Sequence, residues 1–311
     1  MILIIGGTGQ LGDALAKLCT AQGINFKTLS RADLSFERLD EASHANAPGI
    51  HWPGWVTEVF SAPRPDFVVN AAAYTAVDRA ETDTQAAQIA NVRGPELLAR
   101  LCAARDIPFI HVSTDYVFDG TKGAPYVETD STSPTGVYGT TKRDGENAIL
   151  ATDAKAVILR TAWVYAAHGK NFARTMLMAG RKAPVLRVVA DQRGTPTAAP
   201  DLAKAILGIA SHIKKTGWKP EYRGIFHAAA AGETTWHGFA AAIFEEAAKL
   251  GYKPPQLQPI RTEDWPTPAR RPADSRLNSA KLAEIFGIYM PYWRESLPAI
   301  VAALLAQDSA V

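Results

Sequence analysis

The chain is poor in cysteine and methionine, carries little net charge and lacks a long apolar run. Among its 311 residues are two cysteines, Cys19 and Cys102, each beside leucines in a helical pattern, which favours buried thiols over a disulfide, a metal site or a nucleophile. A net charge of +2 argues against a dedicated nucleic-acid surface. No stretch of about eighteen apolar residues could span a bilayer, and Met1 leads directly into an apolar run, which leaves no room for a signal peptide. We therefore expect a soluble, cytoplasmic protein without a metal ion and without nucleic-acid or membrane partners.

What the chain does have is a regular alternation of apolar runs and helical patterns over its first 160 residues. Such alternation predicts an α/β fold with a doubly wound parallel sheet, in which ligands bind at the carboxyl ends of the strands. The expected strands are residues 1–5, 25–29, 66–70, 107–113 and 155–160. The expected helices are residues 10–22, 55–62, 84–105 and 138–152. The less regular segment 41–65 is expected to be an enlarged surface loop ahead of a helix.

Three glycines follow the first apolar run. Gly6, Gly9 and Gly12 stand between that run and a helix-forming segment, the arrangement of a dinucleotide-binding strand, turn and helix. Gly6 would permit the tight turn, Gly9 would let the backbone approach a pyrophosphate, and Gly12 would let the helix pack against the strand. The helix N-terminus would then attract the phosphates. The spacing G-x-x-G-x-x-G is the variant associated with extended short-chain dehydrogenases, although glycines also cluster at plain turns.

The end of the second strand bears on the choice of cofactor. An acidic residue there would bind the ribose 2′-hydroxyl of NAD, whereas a cation would accept the 2′-phosphate of NADP. Ser30 and Arg31 hold these positions, which favours NADPH, with NADH as the alternative. Asp33 is expected to cap the turn or to contact adenine rather than to select NAD. The other interpretation of Arg31 is an ordinary solvated loop cation.

Small residues follow the third strand. Ala71, Ala72 and Ala73 precede Tyr74 and would allow the ribose or nicotinamide of a cofactor to approach the backbone closely. Asn91 would present an amide to the same region, or would merely cap a helix.

A tyrosine and a lysine stand four residues apart, at Tyr138 and Lys142, and Ser113 and Thr114 lie at the end of the fourth strand. A helix places residues i and i+4 on one face, so the phenol and the ammonium can lie beside a strand-end hydroxyl. A ketone that receives hydride develops negative charge on its oxygen. The hydroxyl would hold that oxygen, the phenol would supply the proton, and the lysine cation would lower the phenol's pKa from about 10. The pair alone also fits a surface helix on which Tyr packs and Lys is solvated.

Beyond residue 160, aromatic residues, prolines and polar residues mix in candidate loops. Loops often carry recognition residues, and a substrate with a pyrophosphate would recruit Arg270 or Arg271. No internal repeat, low-complexity stretch or clean linker stands out. We therefore expect residues 1–165 to form an NAD(P)-binding Rossmann domain with the Tyr and Lys, and residues 166–311 to form mainly a smaller substrate-binding lobe interleaved with it.

Together the motifs resemble one family over almost the whole chain. The segments that carry the resemblance are residues 6–12, 70–78, 113–120, 133–142, 160–165, 171–172, 191–192, 194, 196–197, 235–236 and 268–272. In this combination the chain resembles the dTDP-4-dehydrorhamnose reductases of the extended short-chain dehydrogenase/reductase superfamily. The resemblance implies the last step of dTDP-L-rhamnose synthesis, in which hydride from NADPH or NADH reduces C4 of a small-molecule nucleotide sugar, dTDP-4-dehydro-β-L-rhamnose.

The resemblance also implies roles for individual residues. Tyr138 would be the proton donor, and Lys142 would tune it and hold the nicotinamide ribose. Ser113 and Thr114 would orient the keto oxygen, and Trp163 would stack against or enclose the hexose. The substrate-binding residues expected from the resemblance and the loops are Thr75, Ala76, Val77, Asp115, Tyr116, Trp163, Asn171, Arg270 and Arg271. The expected cofactor-binding residues are Gly6, Gly9, Gln10, Leu11, Gly12, Ser30, Arg31, Asp33, Ala71, Ala72, Ala73, Tyr74, Asn91, Tyr138 and Lys142.

Two points separate the chain from parts of that family. Some members bind magnesium at a dimer interface through glutamates, whereas this chain has Ala14 and Pro200 near those places. A magnesium-bridged dimer is therefore not expected, and the protein is expected to be a monomer or a homodimer. Segment 41–65 is the second point, and it bears on oligomer contacts rather than on the reaction.

Two other functions remain open at this point. Another nucleotide-sugar reductase or epimerase would share the Tyr, the Lys and the glycines. A non-catalytic regulatory subunit that binds NADP would keep the fold, and loss of the Tyr or Lys would favour it, but both are present.

Overall fold

The computed structural model describes residues 1–44, 54–61 and 63–308. Its strands are β1 (Ile2–Ile5), β2 (Phe26–Leu29), β3 (Phe67–Asn70), β4 (Phe109–Thr114), β5 (Ala156–Thr161), β6 (Val164–Tyr165), β7 (Val185–Val189), β8 (Arg193–Gly194), β9 (Thr197–Ala198), β10 (Gly224–His227), β11 (Thr234–Thr235) and β12 (Gln256–Ile260). Its α-helices are α1 (Gln10–Ala21), α2 (Phe36–His44), α3 (Gly54–Ser61), α4 (Val77–Ala80), α5 (Thr84–Gln88), α6 (Gly94–Ala103), α7 (Val137–Leu150), α8 (Phe172–Gly180), α9 (Ala199–Thr216), α10 (Trp236–Ala248), α11 (Ala280–Phe286) and α12 (Leu297–Asp308). A π-helical turn, Ile89–Arg93, joins α5 to α6.

A six-stranded parallel sheet lies at the centre, in the order β10-β5-β4-β3-β1-β2. The chain runs from β1 outward to β2 and then returns to β3 on the other side of β1. In open α/β sheets, ligands bind at the carboxyl ends of the strands where the order reverses in this way. The predicted doubly wound sheet is confirmed, and β10 adds an edge strand that the looser pattern beyond residue 160 did not reveal.

Helices cover both faces of this sheet, which explains why the inner strands β1 and β3 are buried along their whole length. On β1, Ile2 and Ile4 pack into a cluster with α1 and α9, whereas Leu3 and Ile5 pack into a second cluster with α6 and α7. A third apolar cluster joins α8, α10 and α12. The sheet that carries the site is therefore packed against helices on both faces.

The predicted elements are confirmed with two corrections. The helix expected at 84–105 is interrupted by the π-helical turn and ends at Ala103. The helix expected at 55–62 is confirmed as α3 (Gly54–Ser61), whereas the loop expected from residue 41 is wrong at its start, because α2 continues to His44. Phe36 and Leu39 are buried at helical spacing on α2, and this short pattern in the sequence predicts the helix. Residues 45–53 and 62 lie outside the described residues.

The cysteines behave as expected. Cys19 and Cys102 are both free and buried, and burial holds the pKa of the Cys102 thiol far above its usual range. In the described parts of the chain, no helix is long and apolar enough to cross a membrane. Over the same residues, no group of three or more His, Cys, Asp or Glu side chains is placed to hold a metal ion.

Candidate active site

A cleft of about 800 Å³ opens above the carboxyl ends of β1, β3 and β4, a size typical of cofactor and substrate sites. The residues expected from the sequence that line it are Gly6, Gly9, Gln10, Leu11, Ser30, Arg31, Ala71, Ala72, Ala73, Tyr74, Thr75, Val77, Ser113, Thr114, Asp115, Tyr116, Tyr138, Lys142 and Trp163. The expected residues that do not line it are Gly12, Asp33, Ala76, Asn91, Asn171, Arg270 and Arg271.

The glycine turn after β1 brings three backbone segments together. Gly6 has a φ of +84°, and a Cβ at this position would lie 2.7 Å from the backbone nitrogen of Ala72 after β3. A Cβ on Gly12 would lie 2.2 Å from the carbonyl oxygen of Gly6, so Gly12 packs against the turn itself. Gly9 is the N-cap of α1 and no side chain caps this helix. Its first N–H groups therefore stay available to an anion, which fits the pyrophosphate of a dinucleotide.

The rim beyond β2 contains the residues expected to select the cofactor. Asp33 accepts hydrogen bonds from the backbone nitrogen and the hydroxyl of Ser30 at 2.8 and 2.7 Å, and these bonds hold the pKa of its carboxyl down. Asp33 therefore caps the turn, one of the two roles expected for it. Arg31 forms an ion pair with Glu37, and both side chains line the cleft.

Asn91 does not line the cleft but makes hydrogen bonds to residues that surround it. It is fully buried in the π-helical turn. Its amide oxygen accepts the backbone N–H of Tyr74 at 2.9 Å, and its amide nitrogen donates to the Tyr74 carbonyl at 3.2 Å and to the Thr141 hydroxyl at 3.0 Å. Asn91 thus holds the loop after β3 against α7, and the alternative that it merely caps a helix is wrong.

Helix α7 packs in close contact with the backbone of the neighbouring segments at the site. A Cβ on Gly139 would lie 2.1 Å from the carbonyl oxygen of Tyr116, and a Cβ on Gly145 would lie 1.9 Å from that of Asn91. Real Cβ atoms do not approach backbone oxygens so closely. The two glycines therefore let α7, with Tyr138 and Lys142, approach the end of β4.

Tyr138 lies where the sequence predicts a proton donor. The Thr114 hydroxyl at the end of β4 donates to the Asp115 carboxylate at 3.0 Å and also interacts with the Tyr138 phenol. Burial raises the pKa of Tyr138 to about 12, an effect that Thr114 opposes and the nearby Asp115 carboxylate reinforces. The phenol is therefore protonated at neutral pH.

Lys142 is buried and contacts β4. Its Nζ donates to the carbonyl of Val112 at 2.7 Å and lies 3.3 Å from His111 Nε2. Burial lowers the pKa of this amine to about 8, and the Glu146 carboxylate opposes the shift. The expectation that Lys142 lowers the pKa of Tyr138 is wrong here, because the Nζ contacts lie on β4 and burial of the phenol dominates.

Unpartnered polar atoms gather in the cleft at the ends of β4 and β5. The Ser113 hydroxyl, one carboxylate oxygen of Asp115 and the Thr161 hydroxyl are buried without a hydrogen-bond partner, and all three residues line the cleft. Burial raises the pKa of Asp115 to about 6. Buried polar atoms are normally satisfied, so this group is suited to a hydroxylated ligand.

An aromatic pair closes the far side of the cleft. Trp163 stacks on Trp236 with ring centroids 3.5 Å apart, and both residues line the cleft. Trp163 has a φ of +46°, a conformation that is strained for a bulky residue. The Trp236 indole N–H donates to the side chain of Gln192 at 3.1 Å, which fixes the second ring.

Three expected substrate residues lie outside the cleft lining and make contacts within the protein. Arg271 binds both carboxylate oxygens of Asp78 at 2.9 and 2.8 Å. Asn171 caps α8 and donates to the side chain of Gln10 at 3.0 Å. The carbonyl of Arg270 accepts from the Thr135 hydroxyl. Direct contact of these three residues with a substrate stays a prediction.

Several residues at the site were missed from the sequence. They are His111 behind Lys142, Glu37 beside Arg31, and the cleft-lining residues Lys170, Thr161 and Trp236. Thr161 and Trp236 were noted only within motifs. A lone lysine, glutamate or histidine in a sequence carries no signal until the fold places it.

Comparisons with known proteins agree with this geometry. The family model described as the RmlD substrate binding domain matches residues 1–306. A dTDP-4-dehydrorhamnose reductase from Salmonella typhimurium is 40% identical over 94% of this chain and 94% of its own length. The crystal structure of a dTDP-4-dehydrorhamnose reductase from Clostridium acetobutylicum has a TM-score of 0.83 at 34% identity, covering 98% of this chain and 99% of that one. A Bacillus anthracis dTDP-4-dehydrorhamnose reductase in complex with NADP has a TM-score of 0.84 at 28% identity, covering 97% and 98%. The chain belongs to the RmlD family, the family of the dTDP-4-dehydrorhamnose reductases.

Proposed function

We propose that this protein reduces the C4 ketone of dTDP-4-dehydro-β-L-rhamnose with NADPH, or with NADH, to give dTDP-L-rhamnose, the last step of dTDP-L-rhamnose synthesis. The observation that carries the proposal is one continuous cleft that joins the glycine turn after β1 to Tyr138, Thr114 and Lys142. Membership of the RmlD family and the names of its relatives support the substrate.

The chain's own residues suit NADPH. The uncapped N-terminus of α1 would hold the pyrophosphate, and Arg31 at the rim would face the 2′-phosphate. Lys142 would hold the nicotinamide ribose. Bound NADPH would supply the hydride.

The polar group at the ends of β4 and β5 would hold the hexose. Ser113, Asp115 and Thr161 offer hydrogen-bond partners to hydroxyl groups and to the keto oxygen. Trp163 presents an aromatic ring to the same space and would pack on a sugar face.

Tyr138 would supply the proton. As negative charge develops on the ketone oxygen, the Thr114 hydroxyl orients that oxygen and the Tyr138 hydroxyl transfers its proton to it. The raised pKa of Tyr138 keeps this proton in place at neutral pH until the alkoxide forms. The alkoxide is a stronger base than phenolate, so the transfer is downhill.

We also propose the division of labour expected from the sequence. Residues 1–165 would bind the cofactor and residues 166–311 mainly the nucleotide sugar, with the protein acting as a monomer or a homodimer. The clustering of α8, α10 and α12 around their own apolar core supports a separate C-terminal lobe.

The test is NADPH oxidation by the purified protein, with dTDP-4-dehydro-β-L-rhamnose and with matched UDP- and GDP-linked keto sugars. Rapid oxidation with the dTDP sugar alone is expected. Tyr138→Phe serves as the matched variant, and it should reduce turnover by roughly 100-fold or more while NADPH binding persists. NADPH oxidation with only a UDP- or GDP-linked sugar would show that the substrate is that nucleotide sugar and not the dTDP sugar. NADPH binding without any turnover would point to a regulatory subunit.

A further inference from the structure

Helix α7, which carries Tyr138 and Lys142, begins without a cap of its own. Its N-cap residue is Gly136, which has no side chain that could accept a hydrogen bond. The first intrahelical bond runs from the N–H of Thr140 to the carbonyl of Gly136 at 3.0 Å. The N–H groups of the first turn, including that of Val137, therefore need acceptors from outside the helix.

Glu81 supplies one such acceptor. Its carboxylate accepts the N–H of Val137 at 2.8 Å, although the two residues are 56 positions apart in the sequence. A carboxylate at this end also complements the positive end of the helix dipole. Glu81 does not line the cleft. It is therefore placed to fix the start of α7 without contacting a ligand.

Gly136 leaves room for this carboxylate. A Cβ on Gly136 would lie 2.7 Å from Glu81 Oε1 and 3.7 Å from Glu81 Cδ. The backbone of Gly136 has a φ of −152°, an extended conformation that any residue adopts. The space beside this glycine is therefore taken up by Glu81, and the backbone itself does not require glycine here.

The C-terminal half of the chain anchors the segment that presents Glu81. This residue directly follows α4, and Asp78 in α4 accepts hydrogen bonds from Arg271 on both carboxylate oxygens, at 2.9 and 2.8 Å. The backbone N–H of Ala269 also donates to Asp78, at 3.2 Å. Arg271 interacts electrostatically with Glu81 as well. Glu81 is thus held between the loop at 269–271 and the start of α7.

We propose that Glu81 is a positioning residue, which caps α7 in place of Gly136 and so holds the Tyr138 phenol where proton transfer requires it. Tyr138 is the second residue of α7 and moves with the first turn. Lys142 lies one turn further on and is held by its own bond to the Val112 carbonyl. Proton transfer needs hydrogen-bond contact, and a displacement of about 1 Å can cost roughly 100-fold in rate. The catalytic consequence rests on the proposed function, because it takes Tyr138 as the donor, whereas the cap does not depend on that assignment.

The first test needs no turnover. Hydrogen exchange of the Val137 amide, followed by NMR, should be roughly 10-fold faster in Glu81→Ala than in the wild type, because the amide loses the carboxylate that accepts its proton. Glu81→Gln keeps an oxygen acceptor and should restore most of the protection. Equal exchange of this amide in the wild type and in Glu81→Ala would overturn the proposal.

The second test follows the reaction. Glu81→Ala should lower kcat for the dTDP sugar roughly 10-fold or more, while the Kd for NADPH changes less than about 3-fold because the glycine turn is untouched. Glu81→Gln should keep kcat within about 3-fold of the wild type, since its amide oxygen accepts the Val137 N–H. Equal losses of kcat in the two variants would assign the effect to the charge of Glu81 and overturn the proposal.

A double variant tests the cap directly. In Glu81→Ala the carboxylate no longer fills the space beside Gly136, so Gly136→Ser can be added to give α7 an N-cap hydroxyl of its own. The second substitution should recover most of the kcat that Glu81→Ala loses. If kcat did not recover, the role of Glu81 would not be to cap α7, and the proposal would be wrong.

The matched control is Glu284→Ala, which removes a carboxylate from an exposed position of α11 outside the cleft lining. It should leave kcat and the exchange of the Val137 amide unchanged. A loss of kcat equal to that in Glu81→Ala would show a general effect of removing a surface carboxylate and overturn the proposal. Failure of the proposed function would look different, because the Val137 amide would exchange as expected while no nucleotide sugar was reduced.

Discussion

Trp163 and Trp236 stack face to face, with their ring planes only 7° from parallel. The contact joins the end of the sheet to the first residue of α10. Because Trp163 sits on a strained backbone, the stack holds its ring in place against relaxation of that strain. The C-terminal part of the chain therefore sets the position of a ring that lines the cleft.

Removing the second ring should weaken sugar binding more than cofactor binding. Trp236→Ala deletes an aromatic contact worth about 1 kcal/mol, and Trp163 gains freedom to move. We expect the KM for the nucleotide sugar to rise roughly 10-fold and the Kd for NADPH to change less than about 2-fold. Steady-state kinetics and a fluorescence titration measure the two values. Trp265→Ala is the control, since Trp265 is 55% exposed and does not line the cleft; equal KM values in the two variants would show that the stack does not position Trp163.

Two glycines of the turn should fail in different ways. Gly12→Ala forces a Cβ against the carbonyl oxygen of Gly6, so the turn should distort and the melting temperature should fall. A Cβ on Gly9 would lie 3.3 Å from the carbonyl oxygen of Gly6, a contact that a small shift of the backbone relieves. Gly9→Ala should keep a melting temperature near wild type but bind NADPH roughly 10-fold more weakly, because its methyl group would face the pyrophosphate.

Thermal unfolding and NADPH titration on both variants separate the two effects. Gly54→Ala is the control, as a Cβ there meets nothing within 4 Å. If Gly9→Ala bound NADPH as tightly as the wild type, the pyrophosphate would not pass over this residue.

The cofactor preference should depend on the Arg31–Glu37 pair. Arg31→Asp places a negative charge where the 2′-phosphate is expected, so it should raise the KM for NADPH at least roughly 10-fold and leave NADH nearly unchanged. Glu37→Gln frees Arg31 from its partner and should lower the KM for NADPH. Both effects should shrink at high salt, because the Arg31 side chain is exposed. Equal changes for the two cofactors would remove Arg31 from this role.

Asp115 should make stability depend on pH. Burial raises the pKa of its carboxyl from about 4 to about 6, so the native protein holds this proton more tightly than the unfolded chain. Stability from this group is complete at low pH and is lost as pH rises between about 4 and 6, by about 3 kcal/mol. Asp115→Asn removes the titration. The difference in unfolding free energy between wild type and variant should therefore shift in favour of the variant over that window, and a flat difference would contradict the assignment.

The glycine turn, the strands and the Tyr–Lys helix were predictable because each is a local pattern. Gly6, Tyr138 and Lys142 are recognised by their spacing and by the apolar runs beside them. The π-helical turn was not predictable from a local pattern, since Asn91 within it contacts Tyr74 and Gly145, which are distant in sequence. The pKa of Tyr138 was predicted with the wrong sign, because spacing shows that a lysine is near but cannot show how deeply the phenol is buried.

The close seating of α7 also limits how enzymes of this architecture can diversify. With Gly139 and Gly145 in contact with the carbonyls of neighbouring segments, any larger side chain at either position would push the helix, and Tyr138 and Lys142 with it, off the end of β4. A lineage that acquires a new sugar specificity therefore has little room to adjust on this side of the cleft. Changes in hexose specificity are therefore expected in the aromatic pair and in the loops of the C-terminal half. These parts can change while Tyr138 and Lys142 keep their positions.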